Sequence, residues 1–170
     1  MTRAMIGHVT LAALALAGCS DDVDLTGNYE IVSNVESAPC GNDTAVVDGP
    51  VYLLFHKEDF FGTDYFVFDE CKDLEGTDCS SSGSLFSGLF EPIDNGWKGV
   101  ATTSSHAGTR CLLGFHEATA KLDGSHLVVE QAMYSDEIDL PEDQCTTDEA
   151  EKRGKDMACK EHALIDAEKR

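Results

Sequence analysis

The sequence has 170 residues, a length typical of one domain and too short for two well-packed ones. It carries 12 Lys and Arg against 32 Asp and Glu, a formal net charge of −20 that would repel the phosphates of a nucleic acid. The apolar fraction of 42% is enough to bury a core. Composition therefore excludes both a nucleic-acid partner and a chain that is disordered throughout.

The first residues have the pattern of an export signal. Arg3 precedes a mostly apolar run from Val9 to Ala17, which is too short to cross a bilayer as a helix and matches the hydrophobic part of a signal peptide. The run ends in Leu16-Ala17-Gly18-Cys19, where small residues stand directly before a cysteine, and the polar stretch Ser20-Asp21-Asp22 follows.

These four residues resemble the lipobox of bacterial lipoproteins. The resemblance implies that residues 1–18 are a signal peptide, that cleavage falls between Gly18 and Cys19, and that diacylglycerol on the Cys19 thiol anchors the protein to a membrane of the cell envelope. Residues 19–26 would then be a lipidated tether. Because Ser20 rather than Asp follows the anchor, the sorting pattern of such lipoproteins favours the outer membrane in a cell with two membranes.

Residues 27–170 are predicted to form a single, mainly β domain. Runs rich in aromatic and β-branched residues alternate with turn signals, and an additional short strand is predicted at Ala45–Val47. The turns Asp94-Asn95-Gly96 and Asp123-Gly124 favour the positive φ angles of type I′ hairpins. We expect a small antiparallel meander of about seven to eight strands, closed as a barrel or folded as a sandwich. The seven main strands are predicted near residues 27–35, 51–57, 64–70, 85–92, 97–104, 111–121 and 126–134.

The strand start Gly27-x-Tyr29, followed by consecutive hairpins, is similar to lipocalin-like barrels. That resemblance implies a domain that binds a small apolar ligand or serves as a recognition module. Aromatic residues crowd the hairpin 52–68, and the adjacent Phe60 and Phe61 are predicted to form a contact surface because two neighbours in a turn cannot both point inward easily. A filled core would instead favour a structural or inhibitory protein that contacts an envelope partner without a ligand cavity.

The C-terminal region has a different pattern. Thr146-Thr147-Asp148-Glu149 contains a Thr-x-x-Glu capping box, which predicts that a helix begins there. No β-branched run follows, so we expect one helix over residues 147–168, weakened by about 1 kcal/mol at Gly154. We expect this helix to be fixed to the β domain by disulfides.

Six cysteines remain in the exported chain besides the anchor. They lack the C-x₂-C spacing of zinc sites, and their even number in an oxidising compartment predicts disulfides. Cys71 and Cys79 enclose a short loop and are predicted to pair. In a straight helix Cys159 would lie about 18 Å from the helix start, so we expect Cys145 and Cys159 to reach back, one to Cys40 and the other to Cys111. A break at Gly154 would restore a local pair between Cys145 and Cys159.

No catalytic group of residues is evident. His116-Glu117 begins like a zinc-protease motif, but Ala120 stands where the second histidine is required. The neighbouring histidines, His106 and His126, are ten residues away in other predicted strands. No serine stands in a Gly-x-Ser-x-Gly motif. We therefore expect neither an enzyme nor a bound metal or cofactor, and a hydrolase is the least favoured function.

Overall fold

The computed structural model describes residues 23–60, 62–81, 88–89 and 91–170, with only the backbone described at Phe60 and Ser81. The described chain contains eleven strands, one α-helix and two short 3₁₀ turns, Glu142–Gln144 and Gly154–Asp156. The helix α1 spans Thr147–Arg153. The strands are β1 (Gly27–Ser37), β2 (Thr44–Ala45), β3 (Tyr52–Phe60), β4 (Thr63–Cys71), β5 (Cys79–Ser81), β6 (Gly88–Leu89), β7 (Glu91–Ile93), β8 (Gly96–Ala107), β9 (Arg110–Asp123), β10 (His126–Asp139) and β11 (Cys159–Lys169).

The strands form one antiparallel sheet in the order β5-β4-β3-β1-β11-β10-β9-β8-β7. β6 pairs with β4, near one end of this order, and β7 pairs with β8 at the other end. One residue separates β6 from β7 along the chain. The two ends of the sheet therefore meet, and the meander curls into a β-barrel-like body. This confirms the predicted mainly β antiparallel meander with one C-terminal helix and disulfides.

Both predicted hairpins are found, but their turns are not of type I′. A type I′ turn needs a positive φ at both central residues, whereas each turn here has one such residue, Asn95 with a φ of 59° or Gly124 with a φ of 64°. Gly96 is also required for packing, because a Cβ there would lie 1.9 Å from the carbonyl oxygen of Ala120. These turns, together with residues 23–26, mark what we call the near end of the body; the turn at Gly108 and helix α1 mark the far end.

The near half of the body is filled by side chains. The inner face of the sheet is the side that carries Tyr29, Phe55 and Phe68, all fully buried. The Phe55 ring packs edge-on against Tyr29 at 5.7 Å and stacks on Phe68 at 5.1 Å, and Phe66 meets Trp97 at 5.0 Å between ring centroids. Smaller apolar residues complete this core: Leu25, Leu53, Leu89, Ala118, Ala120, Leu127, Val129, Ile165 and Ala167.

The far half has its apolar residues on the opposite, outer face. Helix α1 begins where the sequence predicts, because the Thr146 hydroxyl accepts a hydrogen bond from the Glu149 amide at 3.2 Å. Its Ala150 is fully buried in a second cluster of outward-facing strand residues. That cluster contains Cys111, Leu113, Phe115 and Met157, with Tyr134, Ile138, Leu140 and Cys145 packed against them.

The predicted helix over residues 147–168 is wrong beyond Arg153. Gly154 has a φ of 47° and a ψ of −124°, a backbone conformation that favours glycine and does not continue the helix, and the chain then passes through a 3₁₀ turn into β11. β11 pairs with β1 on one side and β10 on the other, and its Ile165 and Ala167 fill the core. The strand count is accordingly higher than predicted, since β11 and several strands of only two or three residues are added.

The disulfides join Cys71 to Cys79, Cys40 to Cys159 and Cys111 to Cys145. The short pair is the predicted one, and Cys145 and Cys159 each reach back to the β-body as predicted. The physical reason differs, because Cys159 lies on a strand and not on a straight helix. β11 places Cys159 opposite Tyr134, and its partner Cys40 follows β1.

Candidate functional site

The candidate site is the inner face of the far half, where the strands β8 to β11 continue past the core. In β9 the buried residues alternate on one face up to Phe115 and on the other from Ala118 onward. Successive residues of a strand point to opposite faces, so the apolar side changes from outer to inner within this strand. Between Ala118 and the far end, the inner face of β9 therefore lacks the buried apolar side chains of the core.

We call this surface the far inner face and define it by register. His116 pairs with Ala101 and Met133, Leu112 pairs with Ser105 and Glu137, and Glu161 pairs with Met133. The side chain of Leu112 is 51% exposed, unusually open for a leucine in a long strand. The far inner face consists of Ala101, Thr103, Ser105, Arg110, Leu112, Gly114, His116, Gln131, Met133, Ser135, Glu137, Glu161 and Ala163. Within it, the Arg110 guanidinium pairs with the Glu137 carboxylate at 2.5 Å.

Two further carboxylates border this surface. Glu36 pairs with Ala163 of β11, and Glu70 pairs with Leu53 of β3, so both lie on the inner side of the sheet. Burial raises the pKa of Glu70, and the negative charge of Glu36 raises it further. The two groups are therefore close enough to repel, and this part of the surface is acidic.

His116 is the histidine of the far inner face. Partial burial lowers its pKa, and the carboxylate of Glu161 opposes that effect without cancelling it. The imidazole is therefore mainly neutral at pH 7 and can both donate and accept a hydrogen bond.

Buried Asn34 lies at the border between the packed core and the far inner face. Its register partner is Ile165, and the amide oxygen has no hydrogen-bond partner among the described residues. Its backbone carbonyl accepts a hydrogen bond from the Val46 amide at 2.9 Å.

The three histidines singled out in the sequence are not brought together. His106 Nε2 lies 3.1 Å from the carbonyl oxygen of Leu140 on the outer face, whereas His126 Nε2 lies 3.6 Å from Asp166 at the near end. His116 and Glu117 are consecutive strand residues and point to opposite faces. The arrangement does not provide a shared histidine site.

Glu117 instead belongs to an ion-pair network on the outer face. Lys98 Nζ lies 2.9 Å from one carboxylate oxygen, and Lys155, just after helix α1, contacts the other. Burial alone would raise the pKa of Glu117, but the hydrogen bonds from Lys155 and Lys98 outweigh it and hold the pKa below its ordinary value. The network ties the segment after α1 to β9.

Across the described ranges, no group of three or more His, Cys, Asp and Glu side chains is placed to hold a metal ion. Asp136 and Glu137, for example, point to opposite faces; the Asp136 carboxylate accepts a hydrogen bond from the Ala158 amide at 3.2 Å. In the same residues there is no helix with the length and apolar character needed to cross a membrane.

One cavity of about 500 Å³ lies at the far end and is open to solvent. Its lining includes polar and charged side chains as well as Leu140 and Pro141, and none of the aromatic residues of the β3–β4 hairpin. The aromatic residues Phe55, Phe66 and Phe68 are instead packed into the near core. The cavity therefore does not have the aromatic lining expected of the apolar-ligand hypothesis.

Several predicted site residues fall outside the described part of the chain. These are Gly18 and Cys19 of the lipobox-like sequence, Phe61, and the side chain of Phe60. The far inner face was missed from the sequence, although a signal was present: the apolar alternation in residues 111–122 changes phase near Glu117.

Comparison of the chain with protein-family models, curated proteins and solved structures found no match.

Proposed function

We propose that the protein is an exported lipoprotein, anchored through Cys19 in the cell envelope, whose β domain recognises a protein partner through the far inner face. The observation that carries this proposal is the contrast along the inner side of the sheet. Its near half is filled by side chains, whereas its far half presents polar and acidic groups around the exposed Leu112. The role is binding and not catalysis.

Export is supported by the cysteines. Three disulfides in a chain of 170 residues fit an oxidising compartment outside the cytoplasm. The seventh cysteine is Cys19, which stands alone at the end of the apolar N-terminal run. Lipidation of this residue accounts for the cysteine that has no partner in the disulfide set.

Charge favours a basic partner. Glu161 lies on the far inner face, and Glu36 and Glu70 border it, within a chain of net charge −20. Glu137 lies on the same face but is already paired with Arg110 at 2.5 Å. Complementary potentials bring partners together, and like charges oppose the wrong ones. Leu112 would supply the apolar contact, so the partner we propose is a basic protein surface with an apolar residue at its centre.

The lipocalin-like alternative, a small apolar ligand held inside the barrel, has less support. Tyr29, Phe55 and Phe68 are fully buried against one another in the near half. A ligand in that space would have to displace these side chains, and their contacts would be lost. Native mass spectrometry of the domain isolated from its own envelope would reveal a retained small molecule and so favour this alternative.

The anchor is tested with Cys19→Ser. We expect the variant to lose metabolic labelling by a palmitate analogue and to leave the membrane fraction, because the thiol that receives the lipid is gone. The intact protein is the control. A Cys19→Ser variant that still carries label and sediments with membranes would refute the lipoprotein proposal.

The recognition surface is tested by placing a photo-cross-linking amino acid at position 112 in the lipidated protein. Position 47 is the control, because Val47 is also an exposed apolar residue, at 88%, but lies in the loop between β2 and β3. We expect a discrete cross-linked product from position 112 and not from position 47. Equal products from both positions would contradict a specific surface.

A charge reversal on one strand adds a matched control. Glu161→Lys changes the far inner face, whereas Glu168→Lys makes the same change on the outer side of β11 near the other end. We expect only Glu161→Lys to abolish the cross-link from position 112. Loss with both variants, or with neither, would refute recognition of a basic partner by this face.

A further inference from the structure

The chain is fixed to the body from Val23 onward, at the near end. Leu25 is fully buried, and its carbonyl oxygen accepts a hydrogen bond from the Tyr29 hydroxyl at 2.8 Å. The carbonyl oxygen of Val23 accepts a hydrogen bond from the Trp97 indole at 2.6 Å. Although residues 19–26 were predicted as a tether, those from Val23 are part of the packed domain.

The same end is bound together by contacts between its separate segments. The Lys169 amide donates to the Ser125 carbonyl at 2.8 Å, and the Lys169 ammonium donates to the Thr26 carbonyl at 3.1 Å. The Leu122 amide donates to the Asn95 carbonyl at 2.8 Å. The turns at Asn95 and Ser125 thus share one end of the body with the segment that follows the anchor.

The covalent distance to the anchor is short. Cys19 and Val23 are separated by three residues, and an extended chain spans at most about 3.3–3.6 Å per residue, so their Cα atoms lie within about 14 Å of each other. β9 alone, with 14 residues, extends over about 44 Å at about 3.4 Å per residue. The tether is therefore much shorter than the body to which it is attached.

We infer that the near end of the body faces the lipid surface and that the far end, with helix α1 and the far inner face, points away from it. The inference rests on the proposed lipidation of Cys19 and adds the orientation. The Asn95 and Ser125 turns then lie beside the headgroups, and the far inner face is presented to the space beyond the membrane.

The orientation is tested with two labelled variants of the full lipidated protein, Ser125→Cys at the near end and Thr109→Cys at the far end. Both residues are exposed and flank β9, and the six native cysteines of the domain are paired, so a dye added without reductant labels the new thiol. Each protein is bound to phosphatidylcholine vesicles that contain a lipid with a quencher on its headgroup. We expect loss of fluorescence from the Ser125→Cys label and little or none from the Thr109→Cys label.

Controls separate the orientation from the anchor. Adding Cys19→Ser to the Ser125→Cys protein should abolish both vesicle binding and quenching. A flexible Gly/Ser insert of about 20 residues between Asp22 and Val23 should reduce the quenching while leaving vesicle binding intact, because the body is then free to move away. If the intact protein does not bind vesicles, the anchor and the orientation are both refuted. If it binds and the two labels are quenched equally, or the Thr109→Cys label more, the orientation alone is refuted.

Discussion

The two halves of the body use the same strands in opposite ways. In the near half, the inner face of β9 carries Ala118 and Ala120 into the core, and the barrel-like curvature of the sheet buries them. In the far half the outer face carries Leu113 and Phe115, which helix α1 covers. The inner face of the far half carries half-buried to exposed side chains, most of them polar or charged. The comparison shows how one continuous strand can contribute apolar side chains to a packed inner core in one half and to a helix-covered outer face in the other.

The largest effect should come from the near core. Phe55→Ala removes a fully buried ring that contacts Tyr29 and Phe68, and we expect it to lower the free energy of unfolding by about 3–5 kcal/mol. Urea denaturation followed by circular dichroism measures this. Val47→Ala, at a residue 88% exposed, should change stability by less than about 0.5 kcal/mol. Similar losses in the two variants would mean that the near core is not the main source of stability.

The second effect concerns the far half. Replacing Cys111 and Cys145 together by Ser removes a disulfide that spans 34 residues, at an expected loss of about 3 kcal/mol. Because this disulfide fixes the chain just before α1, amide hydrogen exchange should accelerate most in residues 147–153. The matched control removes Cys71 and Cys79, which are only 8 residues apart, and should leave exchange in α1 unchanged. Equal acceleration over the whole body would show that the halves unfold as one unit.

The third effect tests the ion pairs that hold the segment after α1. Glu117→Gln keeps the shape of the side chain but removes the charge that Lys98 and Lys155 contact. We expect a loss of about 1.5 kcal/mol at pH 7, a value already reduced for solvent screening of the exposed lysine. Thermal unfolding of the variant and the parent protein measures the difference.

The contribution of Glu117 to stability should depend on pH, in a direction that follows from its lowered pKa. The folded-state pKa of Glu117 lies below its ordinary value of 4.5, so its contribution is present in full above that value. The contribution decreases as the pH falls below 4.5 and is lost once the pH passes the lower folded-state pKa. The stability difference between the parent and Glu117→Gln should therefore shrink in acid. A difference that is constant from pH 7 to pH 3 would contradict the ion-pair explanation.

The smallest effect concerns the start of α1. Thr146→Ala removes the hydroxyl that accepts the Glu149 amide hydrogen bond and should cost about 1 kcal/mol. Thr147→Ala is the matched control, since Thr147 is the first residue within the helix and does not cap it. Hydrogen exchange of the α1 amides should rise in the first variant and stay the same or fall in the second. The reverse order would show that the cap does not limit the stability of the helix.

Local chemistry explains which parts of the fold could be predicted from the sequence. The turns at Asn95 and Gly124 and the cap at Thr146 depend on residues within a few positions of each other, and all three are found at the predicted positions, although the turns are not of type I′. The short disulfide between Cys71 and Cys79 is of the same kind. In each case the residues that determine the feature lie within eight positions of each other in the sequence.

β11 could not be predicted in this way because its partners are distant. Ala167 pairs with Ile31 on one side and Leu127 on the other, and no local pattern reports such contacts. The charged residues of this segment are compatible with a helix, and only the alternation of Ala163, Ile165 and Ala167 indicates a strand. The candidate site was missed for a related reason: the apolar residues in the first half of β9 face helix α1, a contact that the local sequence does not report.

The position of β11 at the end of the sequence also determines when the sheet can be completed during synthesis. β1 is synthesised early, but its edge towards β11 stays unpaired until β11 follows, and Cys40 pairs with a cysteine 119 residues further along the chain. During that interval β1 and β10 both present free backbone groups that could pair with another chain. The sheet can therefore be completed only after nearly the whole chain has been synthesised, and a truncation that removes residues 159–169 would leave two open strand edges, prone to aggregate.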